Sequence, residues 1–211
     1  MLSDARLYVI SADGAPENQV SILCAAVDGG ADIVQLRNKT APAAALVPAA
    51  GRLIAYCRPR GVPVIINDDV DVAVSAGADG VHLGQDDMGI AEARRRWQQG
   101  RLVGRSTHSM DQALSAVADG ADYLGVGPVF ATPTKPGRPA VGTELVAAVS
   151  AAGIEIPWFA IGGIDSSNID AVVAAGARRV AVVRAVCAAA DPAAAAADLR
   201  ARLGALVGGP V

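Results

Sequence analysis

One loop of this 211-residue chain combines hydroxyl groups, an ammonium group, prolines and glycines. It follows the apolar run Tyr123–Val126, covers residues 127–137, and carries Thr132, Thr134 and Lys135. Hydroxyl donors, a point charge and a backbone that can approach a ligand closely are what an anion-binding loop needs. The loop therefore predicts an anion site, although a polar surface loop would have a similar composition.

Basic residues follow another apolar run. Arg37 and Lys39 come directly after Ile33–Leu36, and Gln35 lies two residues before Arg37, on the same face of a strand. An arginine fork together with a lysine point charge suits a pyrophosphate. A solvated strand end is the alternative interpretation when this segment is considered alone.

Acidic pairs follow two more of the apolar runs. Asp68 and Asp69 come after Asn67, and Asp86 and Asp87 come after the run that ends near residue 84. Two carboxylates from neighbouring loops can share one Mg²⁺, which binds substrate phosphates as well. Each aspartate could instead cap the helix that follows it. The basic groups at the same strand ends favour a metal, because the carboxylates would otherwise oppose an anionic ligand.

Three smaller groups of polar or glycine residues also follow apolar runs. Gly162 and Gly163 turn into a helix, and the donors of such a turn can bind a phosphate, to which Arg184 at the end of the last run could add a charge. Ser106 and His108 lack an orienting acid and a nucleophile-elbow pattern, so they do not predict nucleophilic catalysis. We interpret His108 and His82 as structural residues or as residues that contact the substrate-binding side chains without contacting the substrate.

Short apolar runs alternate with alanine-rich stretches along the chain. Strands are predicted at Leu7–Ser11, Ile33–Arg37, Val62–Asn67, Gly80–Gly84, Leu102–Ser106, Tyr123–Gly127, Pro157–Gly162 and Arg179–Arg184. Helices are predicted at Asn18–Asp28, Ala41–Arg60, Val70–Ala76, Gly89–Gln99, Met110–Asp119, Thr143–Ala152, Ser166–Ala175 and Pro192–Val207. About eight βα units in roughly 200 residues predict an α/β fold, a (β/α)8 TIM barrel in which residues 1–211 form a single domain. A doubly wound open sheet is the alternative.

The composition argues against several other classes of protein. Hydrophobic residues make up 52% of the chain and aromatic residues only 3%, which is typical of a parallel α/β core. The net charge of -3, without a basic block, disfavours nucleic acid or an anionic membrane as a partner. The chain shows no signal-peptide pattern and no apolar stretch of membrane-spanning length, so we expect a cytoplasmic protein. Cys24, Cys57 and Cys187 are odd in number and widely spaced, as expected of reduced core thiols.

The polar groups described above share one position in the predicted fold. All of them follow strands, whereas the opposite strand ends carry mostly glycine, alanine and proline. Active sites of TIM barrels lie at the C-terminal ends of the strands. The sequence therefore predicts one site at one end of the barrel.

In combination these motifs resemble the thiamine phosphate synthase family over nearly the whole chain. The resemblance rests on Gln35-Leu36-Arg37-Asn38-Lys39, Asn67-Asp68, His82-Leu83-Gly84-Gln85-Asp86-Asp87, Gly104-Arg105-Ser106, Gly127-Pro128-Val129-Phe130 with Thr132-Pro133-Thr134-Lys135, and Ile161-Gly162-Gly163-Ile164. It implies a barrel-shaped transferase of thiamine biosynthesis, which joins a hydroxymethylpyrimidine diphosphate to a thiazole phosphate and releases pyrophosphate. Its partners would be these small molecules, and the sequence leaves the oligomeric state open.

The resemblance also implies roles for individual residues. The pyrimidine diphosphate site would consist of Gln35, Arg37, Lys39, Asn67, Ser106 and Lys135. The cofactor would be Mg²⁺, bound by Asp68 and Asp87. The thiazole phosphate site would consist of Thr132, Thr134, Gly163 and the backbone of Val183 and Arg184. Arg37, Ser106 and Lys135 would stabilise the leaving pyrophosphate while a pyrimidine cation forms, a reaction that needs no general base.

Other functions remain open from the sequence. A related thiazole tautomerase would use His108 for proton transfer and would need no diphosphate site. A non-catalytic phosphate-binding barrel would bind ligands without turnover, and a sugar-phosphate isomerase would need an acid–base pair that the sequence does not offer. Two departures from the family pattern stand out, because Arg184 replaces a common serine and Ser11-Ala12-Asp13 replaces a common Thr-Asp. The second departure leaves a contact from the first loop unsupported.

Overall fold

A computed structural model describes residues 2–97, 100–132 and 139–207. Within these ranges the strands are β1 Leu7–Ile10, β2 Ile33–Leu36, β3 Val64–Asn67, β4 Gly80–Leu83, β5 Leu102–Thr107, β6 Tyr123–Val126, β7 Trp158–Ile161 and β8 Val180–Val182. All neighbouring strands are parallel, and β1 pairs with both β2 and β8, so the sheet closes into a barrel. The predicted TIM barrel is confirmed, and the alternative of an open doubly wound sheet is wrong.

Helices cover the outside of the barrel. They are α1 Pro16–Asp28, α2 Ala43–Cys57, α3 Val70–Ala76, α4 Ile90–Arg96, α5 Met110–Ala118, α6 Gly142–Ala151, α7 Ile169–Ala174, α8 Arg184–Cys187 and α9 Pro192–Val207, with a 3-10 turn at Arg58–Arg60. In the ranges that the structure describes, no helix is long and apolar enough to cross a membrane.

The eight predicted strands are all present, but several predicted element ends are wrong. The strand predicted at Arg179–Arg184 covers only Val180–Val182, because the chain turns into α8 at Arg184. The helix predicted at Ala41–Arg60 starts after Pro42, whose backbone is extended, and its last residues tighten into the 3-10 turn. Pro42 favours this start because it lacks the N–H that a helix interior would use.

Side chains alternate between the outside and the inside of the barrel. Residues such as Leu7 and Val9 point outward into the layer between strands and helices, where aliphatic side chains form the larger core. Tyr8, Tyr123 and Phe159 point inward and form a separate, smaller core with aliphatic neighbours. This period of two along each strand is what places polar side chains of β2 to β5 inside the barrel, toward the ends where the strands finish.

Candidate functional site

A cavity of about 360 Å³ opens at the C-terminal end of the barrel. It is bordered by eight of the residues that the sequence predicts to bind substrate, namely Gln35, Arg37, Asn67, Ser106, Thr132, Gly163, Val183 and Arg184. These residues come from loops and strand ends that are far apart in the chain, from Gln35 to Arg184. The structure therefore brings most of the predicted substrate-binding residues together. Lys39, Asp68 and Asp87 are not among the residues that line this cavity. Thr134 and Lys135 lie outside the described residues.

The Arg37 side chain lies at the edge of this cavity and is held by the first loop. The residue is only 7% exposed, and its guanidinium donates to a carboxylate oxygen of Asp13 at 2.7 Å. Ser11 fixes the backbone on either side, accepting from the Arg37 N–H and donating to the Arg37 carbonyl. The Arg37 Nε is buried and has no hydrogen-bond partner among the described residues.

Asp13 is a site residue that the sequence analysis missed. Its carboxylate also accepts from the backbone N–H of Lys39 at 2.8 Å, so one side chain holds both Arg37 and the start of the Lys39 loop. Burial opposes ionisation of Asp13, but the Lys39 N–H and the Arg37 charge outweigh it and lower its pKa. The first loop therefore contacts two predicted site residues through Asp13, a contact that the sequence analysis left unsupported.

Asp68 and Asp87 form a carboxylate pair at the ends of β3 and β4. Burial, followed by a hydrogen bond to Asp68, raises the pKa of Asp87. Lys39 forms an ion pair with Asp68, and the backbone N–H of Gly84 donates to Asp87 at 2.7 Å. Two carboxylates in direct contact repel each other unless a proton or a cation lies between them. The donor set therefore fits a divalent cation that prefers oxygen ligands.

Helix capping does not explain these two aspartates. Asp69 is the N-cap of α3 and accepts from the N–H of Val72, whereas Asp68 precedes it with a left-handed φ of 62°. The N-cap of α4 is Gly89, without a side-chain hydrogen bond, so capping of this helix by Asp86 or Asp87 is wrong. In the described ranges no three His, Cys, Asp or Glu side chains cluster as a metal site. A pair suits Mg²⁺, which keeps waters and binds substrate phosphates.

The loops after β6 and β7 form the opposite wall of the cavity. The N–H of Val129 donates to Ile161 O and the N–H of Phe130 donates to Gly162 O, each at 2.9 Å. Gly163 has a φ of 64°, and a Cβ there would lie 2.8 Å from the Cβ of Phe130. The double glycine is thus needed for the close approach of the two loops. This packing sets the position of the backbone N–H groups that a phosphate would contact.

Arg184 lies at a different position from the one predicted. It is the first residue of the short helix α8, and Val183 separates it from β8. The interpretation of Arg184 as the end of the last strand is therefore wrong. Both residues nevertheless border the cavity.

Ser106 has a histidine partner, but it is not the neighbour in sequence. His82 Nε2 lies 3.0 Å from Ser106 Oγ, whereas His108 Nδ1 donates to the carbonyl of Gly127. Gln85 donates to the Ser106 carbonyl at 2.6 Å and fixes the backbone there. The supporting role predicted for His82 agrees with this geometry. No sequence signal joins His82 to Ser106, since the contact depends on the pairing of β4 with β5.

Comparisons with known proteins identify the family of this chain. A family described as thiamine monophosphate synthase matches residues 7–186. The chain belongs to the thiamine monophosphate synthase family. It is 52% identical to the thiamine-phosphate synthase of Thermus thermophilus over 178 residues, which is 84% of this chain and 85% of that protein. The structure of thiamine phosphate pyrophosphorylase from Pyrococcus furiosus superposes with a TM-score of 0.88 at 34% identity, covering 96% of this chain and 97% of the other.

Some members of the thiamine monophosphate synthase family are longer than this chain. The thiamine-phosphate synthase of Gloeobacter violaceus is 53% identical over 191 residues, which is 90% of this chain. The matching region is 55% of that relative, so the chain spans about half of its length. The family match over residues 7–186 contains all eight strands and every described cavity residue named above.

Proposed function

We propose that this protein is a transferase that joins a hydroxymethylpyrimidine diphosphate to a thiazole phosphate, forming thiamine phosphate and releasing pyrophosphate. The observation that carries the proposal is one cavity with Arg37 and Ser106 on one side and the loops after β6 and β7 on the other. The carboxylate pair of Asp68 and Asp87 lies at the same end of the barrel. Family membership supports the same reaction.

Two anionic substrates need two sets of donors, and we propose that the residues of the site form two such sets. Arg37, Asn67 and Ser106, with Gln35, Lys39 and Lys135, are proposed to bind the pyrimidine diphosphate. Thr132, Thr134, Gly163 and the backbone of Val183 and Arg184 are proposed to bind the thiazole phosphate. Arg184 lines the cavity, and its charge is proposed to tighten binding of the thiazole phosphate.

The reaction proposed here needs charge stabilisation rather than proton transfer. As the C–O bond to the diphosphate breaks, negative charge grows on the leaving group and positive charge on the pyrimidine methylene carbon. Arg37, Ser106 and Lys135 are proposed to stabilise the leaving pyrophosphate. The thiazole nitrogen attacks the carbon without a proton to lose, so no general base is required. Holding both substrates close together and correctly oriented in one cavity supplies the rest of the rate acceleration.

Mg²⁺ is the proposed cofactor, and Asp68 and Asp87 are the residues that would hold it. When bound, the ion neutralises charge on the diphosphate and helps it to leave. In the protein without it, Lys39 offsets part of the charge of the carboxylate pair. Lys39 is about half exposed, so its side chain has room to move to a phosphate.

A cytoplasmic location and small-molecule partners are also part of the proposal. Cys24, Cys57 and Cys187 are free thiols in the structure, and Cys57 is buried. Free thiols suit a reducing compartment.

The decisive experiment supplies the pure protein with both substrates and Mg²⁺ and measures pyrophosphate and thiamine phosphate. We expect both products in equal amounts, and we expect a chelator to abolish them. Binding of both substrates without products would contradict the transferase and support a non-catalytic barrel. Isomerisation of the thiazole phosphate, lost in a His108→Asn variant, would instead support the tautomerase.

A further inference from the structure

Five polar side chains form a continuous line across the inside of the barrel. Gln35 Nε2 contacts the hydroxyl of Tyr8, which lies 3.1 Å from the hydroxyl of Tyr123. The Tyr123 hydroxyl lies 3.2 Å from His82 Nδ1, and His82 Nε2 lies 3.0 Å from Ser106 Oγ. All five residues are buried, and the line runs from β2 through β1, β6 and β4 to β5. Both of its ends, Gln35 and Ser106, border the cavity.

With the Gln35 amide nitrogen facing Tyr8, one direction of the hydrogens satisfies every group in this line. An amide nitrogen can only donate, so Gln35 donates to Tyr8. Tyr8 has a single hydrogen and gives it to Tyr123, and Tyr123 gives its own to His82 Nδ1. His82 is then the tautomer with its hydrogen on Nε2, which donates to Ser106. The Ser106 hydroxyl hydrogen is not used in the line and is left to donate toward the cavity.

The opposite direction does not satisfy the same groups. If Tyr123 donated to Tyr8, the Tyr8 hydrogen would face the Gln35 amide nitrogen, which cannot accept it. A buried hydroxyl without an acceptor is costly, so this order is disfavoured. Burial raises the pKa of both tyrosines, which keeps each hydroxyl protonated and able to donate. Cooperative polarisation along such a line strengthens each hydrogen bond in it.

We propose that Tyr123 and His82 are positioning residues that present Ser106 to the leaving pyrophosphate as a hydrogen-bond donor. The inference rests on the proposed function, because it deepens the role of Ser106 in that reaction. A serine hydroxyl can accept as well as donate, and only a donor stabilises an anion. The line of hydrogen bonds fixes Ser106 as a donor before the substrate binds. Electrostatic stabilisation of the leaving group requires this kind of preorganisation.

The direction of these hydrogen bonds also excludes one catalytic role for His82. His82 Nε2 carries its hydrogen and donates it to Ser106, so it cannot take the proton of that serine. The contact between His82 and Ser106 is therefore not a nucleophile and general-base pair, despite its distance. This agrees with a reaction in which the protein forms no covalent bond to the substrate.

Gly104 on β5 makes room for the line. A Cβ at Gly104 would lie 2.1 Å from the Tyr123 ring, so a larger residue would displace that hydroxyl from His82. Tyr123 also packs edge-on against Tyr8 and Phe159, with ring centroids 6.0 Å away in both cases. A Tyr123→Phe variant keeps this ring packing and removes only the hydroxyl. It is therefore the variant that isolates the hydrogen-bond line.

The first test measures the tautomer of His82 directly. The chain has 2 histidines, so the ¹H–¹⁵N spectrum of the imidazole rings is simple, and a His108→Asn variant assigns them. We expect His82 to be neutral, with the hydrogen on Nε2 and an unprotonated Nδ1 that accepts. A hydrogen on Nδ1 would overturn the proposal. This measurement needs no substrate, so it stands even if the proposed reaction is wrong.

The second test measures the consequence for turnover. Without the Tyr123 hydroxyl, His82 is free to carry its hydrogen on Nδ1, and Ser106 would then donate to His82 Nε2 instead of to the substrate. We expect Tyr123→Phe to lower kcat by about tenfold, as part of the ~10²–10³ that the loss of one such donor costs. KM should change little. Tyr56→Phe is the matched control, since Tyr56 lies on α2 and binds Asp28 on the surface.

A double variant shows whether Tyr123→Phe lowers turnover through Ser106 or through looser packing of the core. If Tyr123 acts through Ser106, then Tyr123→Phe combined with Ser106→Ala should turn over within about twofold of Ser106→Ala alone. Effects that multiply would overturn the proposal, as would a Tyr123→Phe enzyme with the kcat of the parent. Wild-type protein without turnover, but with the expected His82 tautomer, would contradict the proposed function and leave the order of the hydrogen bonds supported.

Discussion

Two aspartates that look alike in the sequence have different surroundings in the structure. Asp69 caps α3, whereas Asp87 contacts Asp68 and the N–H of Gly84 and caps no helix. We expect Asp87→Ala to raise the Mg²⁺ concentration for half-maximal turnover by about tenfold or more, because the proposed Mg²⁺ site would lose one of its two carboxylates; tenfold corresponds to ~1.4 kcal/mol. Its melting temperature should change little.

The matched variant Asp69→Ala should show the reverse pattern. Loss of a helix N-cap costs about 1 kcal/mol of stability, which lowers Tm by roughly 2–4 °C in a chain of this size. Thermal unfolding and Mg²⁺ titration of turnover measure both variants. A large loss of stability in Asp87→Ala, with normal Mg²⁺ dependence, would contradict the metal role.

Asp13 links the first loop to Arg37, and this link depends on pH. The pKa of Asp13 is lowered from its usual value of 3.8, so its contribution to stability is complete above that value and disappears as the pH falls through the folded-state pKa. At neutral pH we expect Asp13→Asn to be less stable by about 1 kcal/mol or less, since the carboxylate is half-exposed. Urea unfolding of both proteins should give values that converge below pH 3.8. A constant difference across this range would contradict the ion pair.

Lys135 belongs to the predicted diphosphate site but lies outside the described residues. We expect Lys135→Ala to lower kcat by ~10²–10³, because the proposed site would lose one charge that stabilises the leaving group. Lys135→Arg, which keeps the charge, should recover part of this loss. Steady-state kinetics with both substrates measures the effect, and near-normal turnover of Lys135→Ala would remove the residue from the site.

At the scale of single elements, the loops after β6 and β7 depend on glycine for their contact. A Cβ at Gly127 would lie 1.9 Å from the carbonyl oxygen of Ile161, so the backbone would have to move. We expect Gly127→Ala to reduce the free energy of unfolding by about 1–3 kcal/mol. Gly51→Ala in α2 is the contrast, because no atom lies within 4 Å of a Cβ there.

The contrast variant should be more stable than the parent by about 0.5–1 kcal/mol, as alanine replaces glycine inside a helix. Chemical denaturation gives both values. If Gly127→Ala were as stable as Gly51→Ala, the close contact between the two loops would be wrong.

The existence of the elements could be predicted more reliably than their ends. Most of the strands are short apolar runs, and that signal needs no knowledge of the fold. The ends depend on tertiary contacts, which is why Arg184 lies in α8 rather than in β8. At the site, residues that directly follow strands were predicted, since their placement at one end follows from the barrel. Asp13 was missed because its role depends on the distance between two loops.

At the scale of the whole molecule, closure of the barrel creates contacts that no local pattern contains. Tyr8 and Tyr123 are separated by 115 positions and meet only because β1 and β6 face each other inside the closed sheet. The same holds for His82 and Ser106, which lie side by side only because β4 pairs with β5. The polar line therefore could not be predicted from the sequence, although each of its residues could be placed on a strand.

Closure also depends on the last helix, which joins the end of the chain to its beginning. Arg6 donates to the carbonyl of Leu203 at 3.2 Å, and the Leu203 side chain is fully buried, whereas Leu206 on the same helix is 41% exposed. We expect Leu203→Ala to cost about 2–5 kcal/mol of stability through the cavity it leaves. Leu206→Ala should stay within about 0.5 kcal/mol of the parent. Urea unfolding of the two variants measures the difference, and equal stabilities would mean that α9 does not hold the first and last strands together.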